Sequence, residues 1–139
     1  MTNAVVVDTM VVGWLLSDRP HQMEEVYRKL IGGRTLWVPL QVVAELRFGM
    51  LKAGWGDLRC ARVERKLKEL RVHQPDEPMA MIHAALRHEC WKDGHALGQK
   101  DHDGDRWMAA TAMRLEVPLV THDAIFRGAP KLVIETALQ

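Results

Sequence analysis

Ala4-Val5-Val6-Val7 is an unbroken apolar run, mostly β-branched, that stops at a carboxylate, Asp8. A run without polar alternation suits a strand covered on both faces, which is the interior of a parallel sheet. Thr35-Leu36-Trp37-Val38 reads as a second strand, Arg71-Val72-His73 as a short third and Val117-Pro118-Leu119-Val120 as a fourth; Lys131 to Glu135 suits an edge strand. Between them lie helical patterns: Met10 to about Ser17, Pro20 to Ile31 closed by Gly32-Gly33, and a helix from Pro39 to about Ala53 broken by Gly54-Trp55-Gly56. Further helices are expected over Asp57 to Leu70, over Met79 to Trp91 after a turn bracketed by Pro75 and Pro78, and over Arg106 to Glu116 after a polar loop, Asp93 to Gly104. Strands alternating with helices imply parallel βαβ units. The expected fold is therefore α/β, a three-layer α/β/α sandwich around a mostly parallel sheet of four to five strands. With 139 residues, the chain is expected to form one domain, residues 1–139.

Charge and cysteine content narrow the function. Nineteen Lys and Arg balance 18 Asp and Glu. Nucleic acid is therefore not held by an overall basic field, although a local patch remains open. Cys60 and Cys90 form no C-x-x-C pair, which excludes a cysteine zinc site and speaks for two reduced thiols in the cytoplasm. No segment offers the run of ~20 apolar residues of a membrane span, and Asp8 interrupts the apolar stretch from Met1 to Leu16.

In an open parallel sheet, ligands bind beyond the carboxyl ends of the strands where strand order reverses. Asp8 closes the first strand and Asp123 follows the fourth; if those strands are neighbours at the reversal, both face one crevice. Glu45 lies near the second turn of the helix leaving the second strand, and Asp105 opens the helix that feeds the fourth. All four acids thus come to one edge. Each has an ordinary explanation: a salt bridge from Glu45 to Arg47 or Arg106, a helix cap for Asp105, turn positions for Asp8 and Asp123. None of these explains the shared edge. Two unit charges ~5 Å apart cost about 3 kcal/mol at an effective dielectric near 20, so the cluster calls for a cation. All-oxygen donors favour Mg²⁺ or Mn²⁺, which activate water for displacement at phosphorus.

At these residues the sequence resembles the PIN-domain ribonucleases found as VapC toxins in VapBC toxin–antitoxin pairs. The resembling pieces are Val5-Val6-Val7-Asp8-Thr9, Val43-Ala44-Glu45-Leu46-Arg47, Asp105 to Ala112, and Pro118-Leu119-Val120-Thr121-His122-Asp123. The resemblance spans nearly the whole chain. It implies metal and catalytic roles for Asp8, Glu45, Asp105 and Asp123, supported by the hydroxyls of Thr9 and Thr121. It departs from the family at Met108, where Ile is usual, and at Ala124-Ile125-Phe126, where many relatives carry a further acid. It further implies Mg²⁺- or Mn²⁺-dependent endonucleolytic cleavage of RNA, a homodimer and a VapB-like antitoxin partner. The groove for that partner is expected among the helices starting near Pro20, Pro39 and Asp57, with Val26, Leu30, Leu46 and Leu58. The dimer is expected at the apolar surplus of Phe48, Met50, Leu51 and Trp55.

Other readings fit less well. Asp101-His102-Asp103-Gly104-Asp105 imitates an EF-hand start, but the loop needs Gly at its sixth and Glu at its twelfth position, which here are Arg106 and Ala112. Asp101 and Asp103 read as solvated loop acids, with an approach to the metal through water as the alternative. His95, His102 and His122 match no zinc spacing, and His122 is expected to point away from Asp123. The charged stretch Asp57 to Leu70 reads as a solvated face laced by ion pairs, or alternatively as a basic flank for RNA phosphates. A phosphatase or receiver domain would want a second acid after the first strand, where Met10 stands. A housekeeping PIN nuclease and an inactive PIN-like binding module remain as alternatives to a toxin.

Overall fold

The computed structural model describes residues 3–139. Five strands form one sheet: β1 (Ala4–Val7), β2 (Thr35–Pro39), β3 (Arg71–His73), β4 (Leu119–Val120) and β5 (Ile134–Glu135). Their order is β3-β2-β1-β4-β5, and every neighbouring pair is parallel. Strand order therefore reverses between β1 and β4, the arrangement on which the convergence of acids depends. All four residues of β1 are buried, as the apolar run requires of a central strand clothed on both faces.

Six helices surround the sheet: α1 (Thr9–Leu16), α2 (Gln22–Ile31), α3 (Leu40–Lys52), α4 (Asp57–Leu67), α5 (Glu77–Asp93) and α6 (Asp103–Leu115). α6 is the helix most tightly joined to the sheet, touching β1, β2 and β4, and α5 packs on α6. The small side chains of Ala109, Ala110 and Ala112, all fully buried, permit that close approach. No helix is long and apolar enough to cross a membrane among the described residues. Cys60 and Cys90 are both free.

Several boundaries differ from the sequence reading, each for a local reason. α2 starts at Gln22 because the His21 ring, not Pro20, caps it: Nδ1 accepts from the Met23 amide at 3.0 Å. Pro39 ends β2, paired with His73, and stands just ahead of α3. Pro78 belongs to the first turn of α5, where its missing N–H costs nothing. The expected loop over residues 93–104 is ordered into two single 3₁₀ turns, Ala96–Gly98 and Lys100–His102, and α6 begins at Asp103. Asp105 is thus inside the first helical turn and is no cap. β4 is only Leu119–Val120, and the edge strand shrinks to Ile134–Glu135.

The first 3₁₀ turn is seated by Gly98. A Cβ there would stand 2.5 Å from the Trp91 amide nitrogen and 2.7 Å from its Cα, and backbone cannot step aside. Gly98→Ala is expected to cost about 1–3 kcal/mol, as overpacking does. A urea unfolding midpoint unchanged from wild type would contradict this close approach.

Candidate functional site at the carboxyl edge of the sheet

Asp8 leaves β1 and immediately caps α1. Its Oδ1 accepts from the Val11 amide at 3.2 Å, and its own amide donates to Val120 of β4 at 3.1 Å. Only 3% of Asp8 is exposed. Thr121 continues β4 beside it, and the Thr121 hydroxyl donates to Asp8 Oδ2. The same hydroxyl oxygen accepts from the Asp123 amide at 3.0 Å, while Asp123 Oδ1 accepts from the Ile125 amide at 2.9 Å. One threonine thereby couples the two aspartates that flank the strand reversal. Burial pushes the Asp8 carboxyl above its ordinary range; hydrogen bonds from Thr121 and Val11 oppose this, and the charge on Asp123 adds to it.

Glu45 reaches the same edge from α3. The Thr9 hydroxyl donates to Glu45 Oε2, and a Cβ on Gly104 would lie 3.5 Å from Glu45 Oε1. The glutamate thus lies between the start of α1 and the first turn of α6. Its side chain is exposed. Neither suggested arginine takes it. Arg47 pairs with Glu64 at 2.9 Å, and Arg106 with Asp103 at 3.3 Å. Asp105 is turned toward His102, whose Nδ1 lies 2.9 Å from Asp105 Oδ2. Among the described residues, Asp8, Glu45 and Asp123 form no ion pair, and no three Asp, Glu, His or Cys side chains stand close enough together to hold an ion. The acids are arranged as an Asp8–Thr121–Asp123 cluster and a Thr9–Glu45 pair, with Asp105 facing its own histidine. The donor set is all oxygen and carries an uncompensated buried carboxylate, which is the chemistry of a hard-cation site.

Two residues, Arg106 and Tyr27, hold this edge in ways the sequence reading did not anticipate. Arg106 is 1% exposed and donates to the carbonyls of Leu97, at 2.8 Å, and Gln99. It also draws Asp103 to itself. Asp103 stands 3.3 Å from His83 Nε2 as well, though without the alignment of a hydrogen bond, so this acid braces α6. Tyr27 is fully buried; its hydroxyl reaches the Thr121 carbonyl at 3.2 Å and His122 Nδ1 at 2.6 Å, and accepts from the Ala137 amide at 3.1 Å. His122 accordingly faces Tyr27 and Trp14. An arginine in an alanine-rich helix and a tyrosine on an amphipathic one were the available signals. Tyr27→Phe is expected to cost about 1–3 kcal/mol, because it strands buried polar groups. Urea denaturation checks this; a loss below measurement error would deny the hydroxyl its bridging role.

Beside the acids runs an apolar groove of about 370 Å³ between α1, α3 and α4, lined by Leu16, Leu46, Met50, Trp55 and Val63 and reaching Thr9 and Glu45. α2 takes no part in it, and Val26 and Leu58 are exposed outside it, which corrects the groove expected from sequence. Phe48 and Leu51 are 63% and 81% exposed, whereas Met50 is buried in the core and does not belong to the exposed surplus. Arg59 lies 3.5 Å over the Trp55 ring. The cations of α4 are largely engaged: Arg59 and Arg62 with Asp18, and Lys66 with the Leu16 carbonyl.

A family model of the PIN domain matches residues 5–132. The chain belongs to the PIN domain family. PIN domains are nucleases as a family, and their members generally use divalent metals. This PIN domain is similar in fold to VapBC2 from Rickettsia felis bound to a promoter DNA fragment, with 20% identity, TM-score 0.78 and coverage of 96% of this chain and 98% of that one. It is similar to DNA-bound VapBC from Salmonella typhimurium, with 22% identity, TM-score 0.78 and 98% of each chain covered. VapBC-5 from Mycobacterium tuberculosis, a toxin–antitoxin system, is 26% identical, with TM-score 0.69 over 96% of this PIN domain and 97% of that chain. A comparison with curated proteins finds no match.

Proposed function

We propose that this PIN domain is a Mg²⁺- or Mn²⁺-dependent endoribonuclease that serves as the toxin of a type II toxin–antitoxin pair. The observation that carries the nuclease reading is the coupling of Asp8 and Asp123 through Thr121 at the strand reversal, with Glu45 brought to the same edge. Asp8, Glu45, Asp105 and Asp123 would hold the cation, directly or through water. When bound, such an ion supplies an activated water and charge neutralisation at a phosphodiester. The chain's own contribution is to keep Asp8 dry and fixed by its cap bond. Thr121 and Thr9 each donate one hydroxyl proton, which fixes Asp8 and Glu45 without adding charge that would compete with a cation.

The toxin role rests on the likeness to VapBC structures. A VapB-like antitoxin would place an apolar helix in the α1–α3–α4 groove and a basic side chain among the acids. Phe48 and Leu51 offer an apolar patch for a homodimer. Intact acids favour an active enzyme over a binding module.

The test is cleavage of RNA by the purified protein with Mn²⁺ or Mg²⁺, and its abolition by EDTA. Cleavage that survives exhaustive chelation would overturn metal dependence, and inertness with either ion would favour the binding module. Release of growth arrest by a small co-expressed neighbouring protein separates a toxin from a housekeeping nuclease.

A further inference from the structure

His95 joins the two segments that present Asp105 and Asp123. It follows the left-handed Gly94 that ends α5, and its amide donates to the Cys90 carbonyl at 2.8 Å, so its backbone is anchored. Its ring makes two bonds of different kinds. Nδ1 accepts from the Leu97 amide at 3.1 Å, which caps the 3₁₀ turn Ala96–Gly98. With Nδ1 accepting, the ring proton sits on Nε2, which donates across 2.7 Å to the Arg127 carbonyl.

From His95 a continuous set of bonds runs in both directions. On one side, the Leu97 carbonyl accepts from Arg106, the residue next to Asp105. On the other, Arg127 closes the turn Ala124–Phe126 by donating to the Ala124 carbonyl at 3.1 Å, and the Ile125 amide of that turn holds Asp123 Oδ1. Asp123 is in turn joined to Asp8 through Thr121. Among the described residues, no other side-chain hydrogen bond crosses from the α5–α6 connection to the turn after Asp123.

We propose that His95 is a positioning residue, which spaces the Asp105-bearing start of α6 against the Asp123-bearing turn and so sets the donor spacing offered to a divalent cation. The proposal rests on the nuclease reading above. Two substitutions separate the ring's two bonds. Asparagine places an acceptor near the Nδ1 position and keeps the local cap, but is too short to reach Arg127. Glutamine carries a donor near the Nε2 position and keeps the cross-tie.

His95→Asn is expected to weaken Mn²⁺ binding about tenfold, as loss of a residue supporting metal ligands does, and to lower kcat for RNA by a similar factor at unchanged KM. The amides of Ile125 and Arg127 should exchange hydrogen faster. His95→Gln should restore Mn²⁺ affinity and kcat to within about threefold of wild type. An asparagine variant with wild-type Mn²⁺ affinity and kcat overturns the proposal, as does a glutamine variant as impaired as the asparagine one. If the asparagine variant does not fold, glutamine alone decides, because the proposal requires its Mn²⁺ affinity to be retained. Wild-type protein that neither binds Mn²⁺ nor cuts RNA overturns the nuclease reading itself, and the positioning role with it. Normal wild-type behaviour with an indifferent His95→Asn overturns the positioning role alone.

Discussion

Asp8→Asn is expected to lower RNA cleavage by about a thousandfold while raising the melting temperature of the metal-free protein. Asparagine nearly matches aspartate in shape. Its Oδ1 can keep the bond from the Val11 amide, so the cap of α1 survives. The Thr121 hydroxyl, which donates to Asp8 and accepts from the Asp123 amide, can turn to accept from the new amide as well. What disappears is the charge. Asp8 titrates above its ordinary value of 3.8 because it is buried and lies near Asp123. In the pH window between that value and its raised folded value, the folded protein holds a proton that the unfolded chain has released. Stability therefore falls as pH rises through the window, and the whole cost is present once pH exceeds the folded value. Removing the charge removes that cost when no cation is bound. The same substitution should abolish the rise in melting temperature that Mn²⁺ gives the wild type. Differential scanning calorimetry in EDTA and in Mn²⁺, beside a cleavage assay, reads all three effects. Wild-type cleavage by Asp8→Asn would remove Asp8 from the chemistry. A lower melting temperature in EDTA would contradict the cost assigned to its burial.

Arg106→Ala is expected to be the most destabilising substitution away from the apolar core, at about 3–5 kcal/mol. The guanidinium is buried and serves the Leu97 and Gln99 carbonyls together with Asp103. Alanine would leave two inward carbonyls and a carboxylate without their donor, and a cavity between α6 and the connection before it. Methionine refills much of that space but supplies no donor, so Arg106→Met isolates the polar part. Both variants should show lowered urea midpoints, with methionine recovering only the packing share. A loss below about 1 kcal/mol for alanine would mean that water replaces the guanidinium with little penalty.

Both substitutions turn on features of different legibility. The candidate acids were readable because their positions relative to strand ends follow from the alternation of strand and helix. Asp8 ends β1, Asp123 follows β4, and the parallel β1–β4 pairing that joins them is in the structure. What the acids do with their side chains was not readable. An arginine partner was the ordinary alternative weighed for Glu45, and the side chain instead accepts from Thr9. Asp103, read as a solvated loop acid, is indeed exposed but opens α6 and pairs with Arg106 beside His83. The partner lies 36 residues away for Glu45. For Asp103 the arginine is three residues on in α6, and only the approach to His83 depends on how α5 is laid against α6.

Sequence alone determined the α/β class and the burial of β1, and it put Asp8 and Asp123 just past strand ends. Each of these depends on local periodicity plus one topological rule for parallel sheets. Tertiary structure decided the rest: that residues 96–102 are ordered turns, that Gly98 seats them on α5, that His95 ties them to Arg127, and that Tyr27 holds the Thr121 carbonyl. These are bonds between side chains and distant backbone carbonyls. They leave no periodic trace, because a carbonyl is present at every residue and only the packing of helices on the sheet selects which one a given side chain meets.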